Sequence, residues 1–233
     1  MLRRLVIASL PTLRVFTLIA LQFGLFTQVT TTEVGYVIQQ SVKLSQAQDG
    51  FEGRLDLLVD EVLISKVALA PKVALLQLVS SHNQVLQKLL LEKPIAEIKT
   101  ADFSDIGNRL ILVTQDFSAD FGSYSGPISK ILEISNDTLH WAEAWSAQNK
   151  STKISLLRSL KTAWSFAPSK NGKSKDILKV SCRFDPGSEG EFKTVFSRFH
   201  REKTGWQVTE RSKPILWERE NDSSALPNLK EFP

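Results

Sequence analysis

Residues 153–184, KISLLRSLKTAWSFAPSKNGKSKDILKVSCRF, restrict the fold more than any other stretch of the chain. Leu160, Thr162, Trp164 and Phe166 alternate with Lys161, Ala163 and Ser165. Asn171 and Gly172 then supply a dipeptide that favours a turn with positive φ. Beyond it, Leu178, Val180, Cys182 and Phe184 share one side, and Lys179, Ser181 and Arg183 share the other. A period of two is the signature of a strand, whose successive side chains point to opposite faces. The stretch therefore predicts a β-hairpin with the first set buried and Lys161, Lys179 and Arg183 exposed. Residues 154–160 are ambiguous, since Leu156, Leu160 and Trp164 also recur at helical spacing.

The flanking sequence extends the sheet. Residues 109–117 are β-rich, and residues 128–134 and 138–146 alternate around a turn at Asn136 and Asp137. Residues 192–200 and 206–210 form a second pair around Lys203, Thr204 and Gly205, and residues 215–218 fit a last short strand. Consecutive short turns favour antiparallel pairing. Residues 109–218 are therefore predicted to be an antiparallel β domain, with 219–233 as a flexible tail.

Upstream the pattern differs. Leu55, Leu58, Val59, Val62, Leu63 and Leu69 recur at helical spacing, with Asp56, Asp60 and Glu61 near the start. Pro71 then suits the first turn of a second helix running to about Leu91. These features predict helices over 54–70 and 71–91 within a helical section of residues 54–108. Their apolar stripes need cover from each other, from the β domain or from a second copy, giving a homo-oligomer through residues 54–91. The fold class expected is thus α+β: an N-terminal hydrophobic segment, a helical section, then a mainly antiparallel sheet.

The N-terminus carries a targeting signal. Arg3, Arg4 and Arg14 occur with no acid before Glu33, and residues 15–29 are uncharged and mostly apolar. A basic flank before an apolar core is the pattern of an export segment. Residues 1–31 are read as a signal peptide or a single-pass membrane anchor with a transmembrane helix, followed by a linker over 32–53. Either way the remainder is placed in the cell envelope, secreted or periplasmic. Cys182 is the sole cysteine, which excludes an intrachain disulfide.

Charge marks the first candidate site. Residues 150–183 hold nine Lys or Arg and one acid, Asp176, a net +8 within a chain of net +4. Such a field attracts anions. Lys161, Lys170, Lys173, Lys175, Lys179 and Arg183 form the predicted surface for an anionic lipid, an acidic polysaccharide or an acidic protein, with nucleic acid disfavoured in an exported domain. Trp141 and Trp145 share a strand face with Glu143 and are candidates for stacking against a ligand.

Catalytic and metal patterns are weak. The 116–127 loop, containing Ser125, together with His140 defines a hydrolase alternative. Ser125 would need His140 or His200 as base and Asp116 or Asp120 as its partner. His82, His140 and His200 are scattered, so neither a metal nor another cofactor is implied. The reading that fits best is a non-enzymatic binding or scaffolding module of the envelope, with the hydrolase and a structural subunit of an envelope complex as alternatives.

Overall fold

The computed structural model describes residues 35–61, 63–64, 67–68, 73–103, 109–117, 125–170, 172, 174–184, 192–218 and 226–233. All elements lie within Gly35–Pro233, one of two units into which the chain divides. The first sheet has the order β1 (Gly35–Leu44), β2 (Gly53–Glu61), β5 (Ala74–Ser80) and β6 (Val85–Leu90), all antiparallel. A four-residue helix, α1 (Gln46–Asp49), joins β1 to β2, and the two-residue strands β3 (Leu63–Ile64) and β4 (Val67–Ala68) pair between β2 and β5.

The second sheet is an antiparallel run of β7 (Ala96–Asp102), β8 (Arg109–Asp116), β9 (Pro127–Ser135) and β10 (Thr138–Trp141). The third has the order β12 (Ser151–Lys153), β11 (Glu143–Trp145), β17 (Gly205–Lys213), β16 (Phe192–Glu202), β15 (Lys175–Phe184) and β14 (Thr162–Pro168). Its β11–β17 contact is parallel, and its other pairs are antiparallel. The chain crosses between these sheets three times, the last crossing leading into β14. β10 runs through Ala142 into β11, and β12 runs through Ile154 into β13 (Ser155–Leu157), which pairs with β9. Backbone bonds from Ala142 N to Ile131 O (2.9 Å) and from Ile154 N to Ala142 O (3.0 Å) carry the pairing through the first two crossings.

The second sheet is covered on both faces. Ile111, Val113 and Leu132 pack with Leu55, Leu57 and Leu76 of the first sheet. Leu110, Leu112 and Ile131 pack with Trp164, Ile177 and Trp206 of the third. A third cluster lies on the far side of the third sheet, where Phe232 from the C-terminal segment meets Phe196 edge-on at 5.3 Å beside Leu178 and Val180.

The expected α+β class is corrected: among the described residues the protein is nearly all β, with 67% in strands and 4% in helix. The two predicted helices are strands. Leu55, Leu57 and Val59 of β2 face the core, but Leu58, Asp56 and Asp60 on its other face are buried too. β5 repeats this, with Leu76 and Leu78 in the core and Leu75 and Val79 also buried. Burial on both faces erases the period of two, and the apolar positions left fall by accident at helical spacing. The two buried acids are satisfied: Asp56 accepts from Ser41 Oγ at 2.7 Å and pairs with Arg54 at 3.0 Å, and Asp60 accepts from Val73 N at 2.6 Å. The helices over 54–91 through which self-association was expected are therefore replaced by strands among the described residues.

The expected transmembrane helix is not found: among the described residues no helix is long and apolar enough to cross a membrane. Residues 1–31, where the sequence places that helix, lie outside the described residues.

The Asn136–Asp137 turn forms as expected, both residues at positive φ (50° and 59°), joining β9 to β10. Glycine adopts that region without a Cβ penalty. Asp137→Gly is expected to stabilise the chain by about 0.5 kcal/mol, read as a small rise in thermal midpoint.

Candidate functional site

The predicted hairpin is β14–β15, in the register Thr162↔Ser181 and Trp164↔Lys179. Leu178, Val180 and Cys182 are buried as expected, whereas Phe184 is 55% exposed. The opposite face, expected in solvent, turns toward the second sheet. Lys179 lies between Trp164 on β14 and Ser197 on β16, and its ammonium donates to Ser155 O of β13 at 2.9 Å. Burial, reinforced by repulsion from Arg183 and only partly offset by Glu210, lowers its pKa to about 8.

Lys179 lines a cleft of about 560 Å³ between β9 and β13 on one side and the third sheet on the other. Ile128, Leu157, Phe184 and Phe192 give it apolar walls, and Thr162, Ser181 and Arg183 add polar groups. Ser181 is 5% exposed, and its Oγ has no hydrogen-bond partner. Unpaired buried hydroxyls are costly and uncommon, which draws attention to this one. Arg183 is half exposed at the mouth, 3.8 Å from Glu210, which also accepts from Ser197 Oγ at 2.8 Å. Lys161 reaches the same end, paired with Glu218 and 5.8 Å from the Phe192 ring centroid. Gly126 lets the chain close at the base of β9, because a Cβ there would lie 2.0 Å from Arg158 O.

The six predicted cations therefore do not share one surface. Lys179 and Arg183 line the cleft, while Lys161 lies outside its lining, beside Phe192 and paired with Glu218. Lys170 is exposed near the hairpin tip, and Lys173 lies outside the described residues. Lys175 pins the tip to the end of β7, donating from Nζ to Asp102 O and from N to Phe103 O, both at 2.9 Å. Eight residues of extended strand, about 27 Å, separate Lys175 from Arg183. Trp141 is half-buried against the core between the first and second sheets, with Lys130 Nζ 5.6 Å from its ring, and Trp145 is 46% exposed on β11. Neither lines the cleft.

A second cavity, also about 560 Å³, lies near α1 and the β16–β17 turn. Its charges at Asp49, Arg109, Glu133 and Arg201 are matched internally. Arg109 makes two 2.7 Å bonds to Asp49, which raise its pKa above the usual arginine value. Glu133 accepts from Trp206 Nε1 and from Arg201, each at 3.1 Å, and lies 3.6 Å from His140 Nε2. Such a closed network serves the fold, whereas the Lys179 ammonium donates to a backbone carbonyl.

Asp120 lies outside the described residues, and the described members of the hydrolytic set are not assembled. His140 pairs across from Glu133, while Asp116 pairs with Pro127, so His140 and the Ser125 end of β9 are about 20 Å apart. His200 finds an acid the sequence did not suggest. Its Nδ1 is 2.7 Å from buried Asp176, which also lies 3.6 Å from Arg198 Nε. That pair sits on the third sheet, away from the 116–127 loop, whose residues 118–124 lie outside the described residues. Among the described residues no group of three or more His, Cys, Asp or Glu is placed to hold a metal.

Comparison of the chain with protein-family models, with curated protein sequences and with solved structures returned no match.

Proposed function

We propose that the chain is a non-enzymatic binding module that takes an anionic partner in the cleft over Lys179. The observation that carries this reading is a largely buried ammonium whose hydrogen bond goes to a carbonyl, with the unpartnered Ser181 hydroxyl in the same cleft. An ammonium has three N–H donors, so two remain beyond the bond to Ser155. A bound anion would add countercharge at an amine whose burial Glu210 offsets only in part, and would satisfy Ser181. The basic and then apolar N-terminal sequence supports delivery of this module to the cell envelope by export. N-terminal sequencing of the mature chain tests that delivery. Processing near residue 31 is expected, and an intact Met1 would refute cleavage.

Calorimetric titration of the full chain with hexanoate tests the site. Lys179→Met is expected to weaken binding about tenfold or more, the worth of a charge-assisted hydrogen bond. The double change Lys170→Gln with Lys175→Gln at the hairpin tip should leave it unaltered. Affinity should fall as pH rises above about 8, where the amine loses its proton. Loss of binding in the tip variant with retention in Lys179→Met would return the site to the exposed lysines and overturn the reading.

A further inference from the structure

We infer that the anion is the carboxylate of a long-chain fatty acid, its head on Lys179, Ser181 and Thr162 and its chain along Ile128, Leu157, Phe184 and Phe192. This rests on the anion-binding reading above and adds the chemistry of the apolar tail behind the charge. Three observations select it.

The first is the balance of the lining. The walls are aliphatic and aromatic, which gives a small polar anion such as free phosphate nothing to pair with along most of the cleft. An acyl chain removes that apolar surface from water, and each buried pair of methylenes raises affinity about tenfold. The cleft volume of about 560 Å³ lies within the range of small-molecule sites.

The second is the placement of donors. Thr162 and Ser181 are opposite one another across β14–β15, and Lys179 is two residues from Ser181 on the same face. One ammonium and two hydroxyls therefore face one space. A carboxylate has two oxygens with about four acceptor positions, enough to engage all three groups. Ser181 Oγ, buried and unpartnered, is the group most in need of an acceptor.

The third is the charge count. Lys179 is the cation largely removed from water in the cleft, while Arg183 is half exposed and already close to Glu210. One buried positive charge matches a monoanion. A phosphate monoester dianion would leave a second charge in an apolar cleft without a buried partner.

The test is a chain-length series on the full chain, with octanoate, dodecanoate and palmitate each displacing the fluorescent fatty acid cis-parinarate. Affinity is expected to rise about tenfold for each added pair of methylenes until the cleft is filled. Lys179→Met should weaken every member about tenfold and leave the slope intact, since it removes the head contact alone. Ser181→Ala should weaken every member several-fold. Phe192→Ala should flatten the slope while hexanoate binding persists. A flat series with Lys179-dependent hexanoate binding would overturn the fatty acid and leave the anion site standing. Failure of every carboxylate, hexanoate included, would overturn both. Dodecyl phosphate binding tenfold or more tighter than dodecanoate would replace the carboxylate head with a phosphate and overturn the assignment.

Discussion

Trp206→Ala is expected to cost about 3–5 kcal/mol of folding stability, the usual range for deleting a large core aromatic. Trp206 has no exposed surface and packs where the second and third sheets meet. Its ring lies 5.3 Å from Phe103 at a tilt of 56°, and the Arg201 guanidinium is 5.9 Å from its centroid. Its indole N–H donates to Glu133, so one side chain joins β17 to β9 by both packing and a hydrogen bond. Trp206→Phe separates the two contributions. It keeps most of the buried area and loses the bond, and Glu133 retains Arg201 as a partner. A cost of about 1 kcal/mol is expected for that variant. Urea unfolding measures both. A loss below about 1 kcal/mol for the alanine variant would show that the two sheets do not depend on this contact.

Lys179→Met should act in the opposite direction. Burial lowers the amine to about 8 from the usual 10.5. Below pH 8 the group is charged in both the folded and the unfolded chain, and the folded chain bears the cost of desolvation. Between pH 8 and 10.5 the unfolded chain holds the proton and the folded chain does not. Stability of the natural chain therefore rises across that window, by up to about 3 kcal/mol. Methionine has a similar length and no charge, so its variant should lack this rise. The substitution also strips Ser155 O of its donor, which costs about 1–3 kcal/mol. The net expectation is a variant about 1 kcal/mol more stable at pH 7, falling below the natural chain by about pH 10. Thermal unfolding at about pH 6, 8 and 10 distinguishes the two profiles. A natural chain whose stability stays flat across the upper half of that range would mean that the amine is well hydrated. Stability gained where binding is lost is the usual mark of a group kept for function.

The sequence was most informative where one face of a strand is more polar than the other. β14 and β15 form the hairpin that residues 162–184 predict, though with both faces covered, and the Asn136–Asp137 turn falls where its residues place it. The first sheet was hidden because β2 and β5 are buried on both faces, so no alternation survives to be read. Lys179 shows the same limit at the site. Its parity was legible, since it does lie opposite Leu178 and Val180. What covers that parity is β13 and β9, and no local pattern in residues 153–184 encodes a neighbouring sheet. A weak signal was present in Ile177 and Ser181, an apolar and a small residue where a solvated edge would carry longer polar side chains. The charge cluster was legible as composition but not as a surface, because a strand spreads its residues along about 27 Å between Lys175 and Arg183.

The parallel pairing of β11 with β17 also sets a timetable. Ala144 must wait for Trp206, and among the described strands none made earlier pairs with that side of β11. Chains emerge at roughly 5–20 residues per second, so this edge stays open for seconds while β14, β15 and β16 are still being made. Contacts so distant in sequence close late and slow folding. During that interval Trp145 and the edge of β11 stand exposed to other nascent chains. The crossover that builds the walls of the cleft is therefore also the segment where misassembly during synthesis would begin.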